Sequence, residues 1–277
     1  LENVRSSKLF EFIPYVVGQG NFDSTDSNPL TPARDSEFKA GLDARYRITS
    51  NLTLTAAINP DFGQVELDPA VVNLSQFETF FSERRPFFVE GSEAFDFGDT
   101  RGAGAHERPT FFYSRRIGEQ PFDLGDLYPD TLAFFGADGS RIYSRQLEVT
   151  PIAGAAKFSG QAGPWTLGVL TALTLEEDNE FAVTTLHEDD RYRLPVSPLS
   201  AYAVARATRS WRGGRTVAGG FASTVLRDAE APAFAPFLAT SATVGGIDVE
   251  TATGDRAWTF SALASCSLVQ GDALLIA

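Results

Sequence analysis

The stretch Leu42-Asp43-Ala44-Arg45-Tyr46-Arg47-Ile48, the turn Thr49-Ser50-Asn51, and Leu52-Thr53-Leu54-Thr55-Ala56-Ala57-Ile58 decide the fold. Leu42, Ala44, Tyr46 and Ile48 alternate with Asp43, Arg45 and Arg47. After the turn, Leu52, Leu54, Ala56 and Ile58 alternate with Thr53 and Thr55. Successive side chains of a strand point to opposite faces, so the stretch predicts a β-hairpin with one apolar and one polar face.

The same pattern recurs along the chain. A second hairpin is predicted around Ser159–Gly163, leading into Trp165, Leu167 and Val169. A third runs through Ala201–Arg209, turns at Arg212-Gly213-Gly214 and returns through Val217, Phe221 and Val225. A fourth joins Val244–Thr253 to Ala257–Val269 across Gly254-Asp255. Each segment is about ten residues long, the length of a tilted membrane strand. Soluble sandwiches and propellers alternate as well. Here, however, the residues opposite the apolar stripe are Thr, Ser, Gly and Arg, which suit a wet lumen better than a face packed between two sheets. The predicted class is all-β: an antiparallel up-and-down transmembrane β-barrel spanning 1–277 as one domain or as its N-terminal part.

Composition narrows the function. The chain has 277 residues and a formal net charge of −13, which would repel a phosphate backbone, so nucleic acid is excluded as a partner. The single cysteine, Cys266, rules out an internal disulfide and reads as a small packed residue. Methionine is absent, so Leu1 reads as the start of a processed or excised segment. No apolar run reaches the length of a membrane helix, so any crossing must be made by a closed barrel.

Two segments break the alternation. Residues 176–198 carry Glu176, Glu177, Asp178, Glu180, Glu188, Asp189 and Asp190 and are predicted to form an acidic exposed loop. The other runs from 59 to 118. Within it, Ser75 to Arg85 predicts a short helix: Ser75 as N-cap, Glu78 completing a capping box, Phe77, Phe80 and Phe81 on one face, and Pro86 as the stop. So short a helix must dock its aromatic face on something. The expectation is an inward, plug-like segment over 59–91 that locks against a strand at Phe111–Gly118. Its candidate binding cluster comprises Asp61, Glu66, Asp68, Glu78, Glu83, Arg84, Arg85, Glu90, Tyr113, Arg115 and Arg116, because enclosed arginines and carboxylates must pair. A salt bridge from Arg115 or Arg116 to a carboxylate of 61–90 is expected.

This region also carries a resemblance. Asn59-Pro60-Asp61-Phe62-Gly63-Gln64-Val65-Glu66, Asp68-Pro69-Ala70-Val71-Val72-Asn73-Leu74, Phe77-Glu78-Thr79-Phe80-Phe81, Arg85-Pro86-Phe87-Phe88, Glu90-Gly91 and Phe112-Tyr113-Ser114-Arg115-Arg116-Ile117-Gly118 resemble the signature of an uncharacterised bacterial family. Its members pair an N-terminal family 9 carbohydrate-binding-like module with a C-terminal outer-membrane β-barrel. The resemblance implies location in the bacterial outer membrane, contact with its lipid, and glycans as partners of the neighbouring module. The chain departs from the family pattern in lacking that module and in ending at Ala277 rather than at a terminal aromatic residue.

No catalytic spacing emerges. His106-Glu107 and His187-Glu188 have no second histidine at metalloprotease spacing, and no Gly-x-Ser-x-Gly elbow occurs. Asp61, Glu66 and Asp68 could ligate calcium through oxygen, but they match no EF-hand loop. The expectation is no cofactor, no metal and no catalytic residue. Instead the sequence predicts a barrel that serves transport, anchoring or surface display of a carbohydrate-binding module. The competing reading is a secreted carbohydrate-active or glycan-binding β-protein.

Overall fold

A computed structural model describes residues 9–21, 28–30, 35–60, 80–98, 110–136, 140–145, 147, 149–184, 189–229 and 232–272. Most of them are antiparallel β-structure. The strands are β1 (Phe10–Asn21), β2 (Asp35–Thr49), β3 (Leu52–Ile58), β4 (Arg141–Ser144), β5 (Ile152–Ala162), β6 (Trp165–Thr174), β7 (Glu177–Thr184), β8 (Asp189–Ser197), β9 (Ser200–Trp211), β10 (Thr216–Arg227), β11 (Ser241–Ala252) and β12 (Thr259–Gln270). Nine of them form one sheet in the order β1-β2-β3-β5-β6-β9-β10-β11-β12, and β4-β7-β8 form a second.

Register converts the sequence alternation into two faces. One row across the large sheet reads Phe10, Tyr46, Leu54, Phe158, Val169, Ala205, Ala222, Gly245 and Cys266. The adjacent row reads Glu11, Arg45, Thr55, Lys157, Leu170, Val204, Ser223, Val244 and Ser267. The first row lies on the uncovered face, here called outward. The second lies on the face against which the β3–β5 connection packs. Large apolar residues are exposed outward, among them Phe38 at 78%, Val16 at 74%, Ile247 at 66% and Leu268 at 62%.

The two ends of the sheet also differ. At one end, hairpins are short: Ser50-Asn51, Gly163-Pro164, residues 212–215 and residues 253–258. The positive φ of Gly213 and Gly214 shapes the third. At the other end the connections are long: 22–34, 59–151, 175–199 and 228–240.

Of the 59–151 connection, the described stretches 80–98 and 110–118 line the inner face. They carry α1 (Pro86–Val89), a 3-10 turn at Ser92–Phe95 and another at Ser114–Arg116. Phe87, Phe88, Ala94, Phe95 and Ile117 share one buried core with Ala57, Ala155, Leu170, Val204 and Phe221 of the wall. Full burial of such a side chain contributes about 1.5–3 kcal/mol. The wall accommodates the segment through glycines. A Cβ on Gly168 would sit 3.0 Å from Phe95 Cε1, and one on Gly246 would strike the Phe97 ring.

A second core forms at the long-connection end. Helices α2 (Leu124–Leu127) and α3 (Pro129–Gly136) pack with β7, β8 and the 232–238 turn through Leu124, Leu127, Phe181, Val183, Val196 and Phe234. Asp123 caps α2 by accepting from Gly125 N at 2.7 Å.

Several sequence expectations are corrected here. The sheet is not closed into a barrel: β1 and β12 are its edges, with no second partner among the described residues. Residues 176–198 are not a loop but hold the β7–β8 hairpin. Its acidic residues alternate with Asn179, Phe181 and Val183, which are buried. The predicted helix Ser75–Arg85 falls partly outside the described residues, and 80–85 are not helical. The helical turn starts where it was expected to stop, because Pro86 occupies the first-turn position that a proline's fixed φ favours. Phe111–Gly118 is irregular around a 3-10 turn and is not a strand. Cys266 is exposed, since it sits outward on an edge strand.

Candidate functional site

Among the predicted cluster, Asp61, Glu66, Asp68 and Glu78 lie outside the described residues, and with them the three carboxylates that could ligate calcium. The rest gather where 80–98 meets 111–118. Each stretch holds a turn glycine with positive φ, Gly91 in the first and Gly118 in the second.

Glu83 and Arg85 form the centre. Arg85 donates Nε to Glu83 Oε1 at 2.8 Å and Nη2 to Oε2 at 2.7 Å, a bidentate pair with both side chains largely buried. The same guanidinium donates across to the carbonyls of Ile117 at 2.6 Å and Ser114 at 2.8 Å, and lies 4.2 Å from the Phe88 ring centre. Ser114 Oγ donates to Glu83 Oε2 at 2.6 Å, and the backbone amides of Arg84 and Arg85 donate to Oε1. Burial alone would raise the Glu83 carboxyl, but these hydrogen bonds and the Arg85 charge outweigh it and hold its pKa below the ordinary glutamate value.

Tyr113 and Arg115 complete the latch. The Tyr113 hydroxyl accepts from Phe81 N at 2.9 Å and donates to Phe81 O at 3.1 Å. Arg115 donates to Ser82 O at 3.1 Å and stands over the Phe81 ring. The backbone carbonyl of Arg116 accepts from Tyr202 OH on β9 at 3.3 Å. Within 80–90 the carboxylates therefore meet Arg85 and Arg45, not Arg115 or Arg116. A pairing of the latter two with carboxylates of 61–79 lies outside the described residues. A cleft of roughly 370 Å³ opens beside the latch, lined by Phe81, Glu83, Ser92, Asp96, Phe112 and Tyr113 among others.

The wall contributes cations that the sequence reading missed. Lys157, fully buried on β5, donates to the carbonyls of Phe87 and Glu90 and so closes the C-terminal end of α1. Arg45 on β2 pairs with Glu90. Arg206 on β9 binds Asp248 on β11 bidentately, at 2.8 and 2.6 Å, and donates Nε to the carbonyl of Asp96 at 3.0 Å. The available signal was Arg206 itself, on the opposite parity from Ala203, Ala205 and Ala207 in the β9 run.

Chemically, the arrangement satisfies charges and holds a segment in place. Glu83, Glu90 and Asp248 each have an arginine partner, in Arg85, Arg45 and Arg206. Among the described residues no group of three or more His, Cys, Asp or Glu side chains could hold a metal ion.

A family model described as a domain of unknown function (DUF5916) matches residues 8–264, and the chain belongs to that family. No curated protein matches the chain. No solved structure matches it.

Proposed function

We propose that this member of the family is an outer-membrane β-barrel protein that works in passage, anchoring or surface display of a neighbouring carbohydrate-binding module, and not in catalysis. The observation that carries the reading is the polarity of the large sheet. Its outward rows are mostly apolar and hold the large exposed apolar side chains, and its inward rows hold the buried cations and most of the polar residues, beside the apolar residues on which the segment packs. A soluble sheet does the reverse: it buries the apolar face and wets the other. An apolar outside around a polar inside is the arrangement of strands in lipid.

Two further features support it. Strands of twelve residues, as in β9 to β12, are long enough to cross a bilayer when tilted. Short turns at one end and long connections at the other follow the pattern of outer-membrane barrels, with short periplasmic turns and longer outer loops. In this reading β1 and β12 pair with further strands, since an open edge is not tolerated in hydrocarbon. No helix among the described residues is long and apolar enough to cross a membrane, so the crossing falls to the strands.

Cell fractionation tests the proposal. In producing cells the protein is expected in the outer-membrane fraction, resistant to carbonate and salt washes and released by detergent. Recovery as a soluble periplasmic or secreted protein, free of detergent, would sink the reading and favour the glycan-binding alternative.

A further inference from the structure

All three tryptophans of the chain stand at the short-hairpin end of the large sheet. Trp165 opens β6, Trp211 closes β9, and Trp258 immediately precedes β12. Register sets Trp165 directly opposite Arg209, in the same outward set as Ala205 and Ala207. The two-residue period adds Trp211 to that face.

Arg209 is held between the rings. Its Cζ lies 5.5 Å from the Trp165 ring centre and 5.2 Å from that of Trp211. Its Nε is shielded and has no hydrogen-bond partner among the described residues. A guanidinium on an otherwise apolar face is costly unless an anion meets it, and its planar fork fits phosphate oxygens. The two adjoining turns add Arg212, Arg215 and Arg256. The single carboxylate in those turns, Asp255, is engaged at Oδ1 by Thr253 and by the amide of Ala257. This end is thus cationic in a chain whose net charge is −13.

We infer that the tryptophan–arginine rim binds the phosphate of an anionic phospholipid headgroup, with Arg209 as its anchor and Arg212 and Arg256 as flanking cations. The inference rests on the membrane reading above and deepens it by naming the lipid. The rings supply both the cation–π support of Arg209 and the amphipathic seat at the headgroup level where tryptophan collects. Cations near a bilayer surface each favour anionic lipid by about a fivefold factor.

The test uses the full protein refolded into vesicles of phosphatidylcholine alone or mixed with phosphatidylglycerol. It is then floated after a carbonate wash, extracted in mild detergent and weighed for retained lipid by native mass spectrometry. Wild type is expected to retain phosphatidylglycerol at least about fivefold over phosphatidylcholine. Arg209→Gln is expected to lose most of that preference and Arg256→Gln, in an exposed turn, a smaller part. Arg141→Gln on β4, away from the rim, should change nothing. Equal retention of both lipids by wild type overturns the inference, and so does loss of preference in Arg141→Gln as large as in the rim variants. Should Arg209→Gln fail to fold, the wild-type lipid comparison and Arg256→Gln still decide. Failure to float after the wash overturns the membrane reading itself, whereas flotation without headgroup preference overturns only the rim.

Discussion

Two aromatic cores, one against the wall and one at the long-connection end, are built on opposite principles. In the first, Phe87, Phe88 and Phe95 pack on Ala57, Leu170 and Phe221, and the wall reaches in with Lys157 and Arg206 to bind the segment's carbonyls. In the second, Phe181, Val196 and Phe234 pack with α2 and α3, and the charges stay outside: Glu180 meets Arg191 at 3.5 Å and Arg193 at 3.8 Å, with both arginines more than half exposed. Exposed pairs of that kind contribute little. The first core is therefore specified by buried ionic contacts as much as by shape, the second by apolar packing without a buried ion pair among the described residues.

The sharpest way to break that contrast is Arg206→Ala. It strands the Asp248 carboxylate on the inner face and leaves the Asp96 carbonyl without its donor. Removing one partner of a buried pair costs about 3–5 kcal/mol, and denaturant titration should report a loss of that size. A loss under about 1 kcal/mol would mean the pair is wet and the contrast false. Phe181→Ala addresses the other core. Phe181 is 1% exposed, and truncating a buried phenylalanine costs about 3–4 kcal/mol. The loss should be local: hydrogen exchange should rise in β7, β8 and α2 while β9 to β12 stay protected. Uniform exchange would show the two cores to be one cooperative unit.

The same contrast explains what was legible in the sequence. Wall strands such as β2 and β3 alternate cleanly because their outward positions are apolar and the positions between them mostly polar, so Tyr46, Leu54 and Ala56 read directly as one side. The β7–β8 hairpin was unreadable as structure because Asp178 and Glu180 alternate with the residues that bury, and their charge dominates the local composition. Pro86 misled because a proline both ends helices and begins them, and only the packing of Phe87 and Phe88 selects the second role. Residues 83, 85 and 113 could be assigned to one cluster from their types. Lys157 and Arg206 could not, because their partners are backbone carbonyls 67 to 110 positions away and, for Arg206, a carboxylate two strands across the sheet.

Glycine-to-valine replacement at the wall probes how tightly the first core is fitted. Gly246 lies under the Phe97 ring, which itself stacks on Phe221 at 4.8 Å between ring centres. Gly246→Val should cost about 1–3 kcal/mol by displacing Phe97, the usual range for overpacking. Phe97→Ala in the same chain should recover part of that loss, because it vacates the space the valine needs. No recovery in the double variant would assign the cost to the β11 backbone instead.

The smallest effect expected is the pH dependence of the latch. The folded-state pKa of Glu83 is depressed: burial opposes ionisation, but Arg85 and Ser114 overcome it. Its stabilising contribution is therefore complete above the unfolded glutamate pKa of about 4.3 and is lost as pH falls through the lower folded value. Protonation also converts an acceptor of several hydrogen bonds into a partial donor, which leaves Arg85 to the carbonyls of Ser114 and Ile117. Glu83→Gln keeps the size and one acceptor but removes the charge. It should cost about 1 kcal/mol at neutral pH, the difference between a charge-assisted and a neutral hydrogen bond. Only as pH falls below the depressed folded-state pKa of Glu83 should the variant and the wild type converge, since both then carry a neutral side chain. The measurement is denaturation midpoint against pH for both chains. A gap that persists undiminished into acid would place the energy of the latch in the shape of the side chain, and would make this core depend on packing just as the other does.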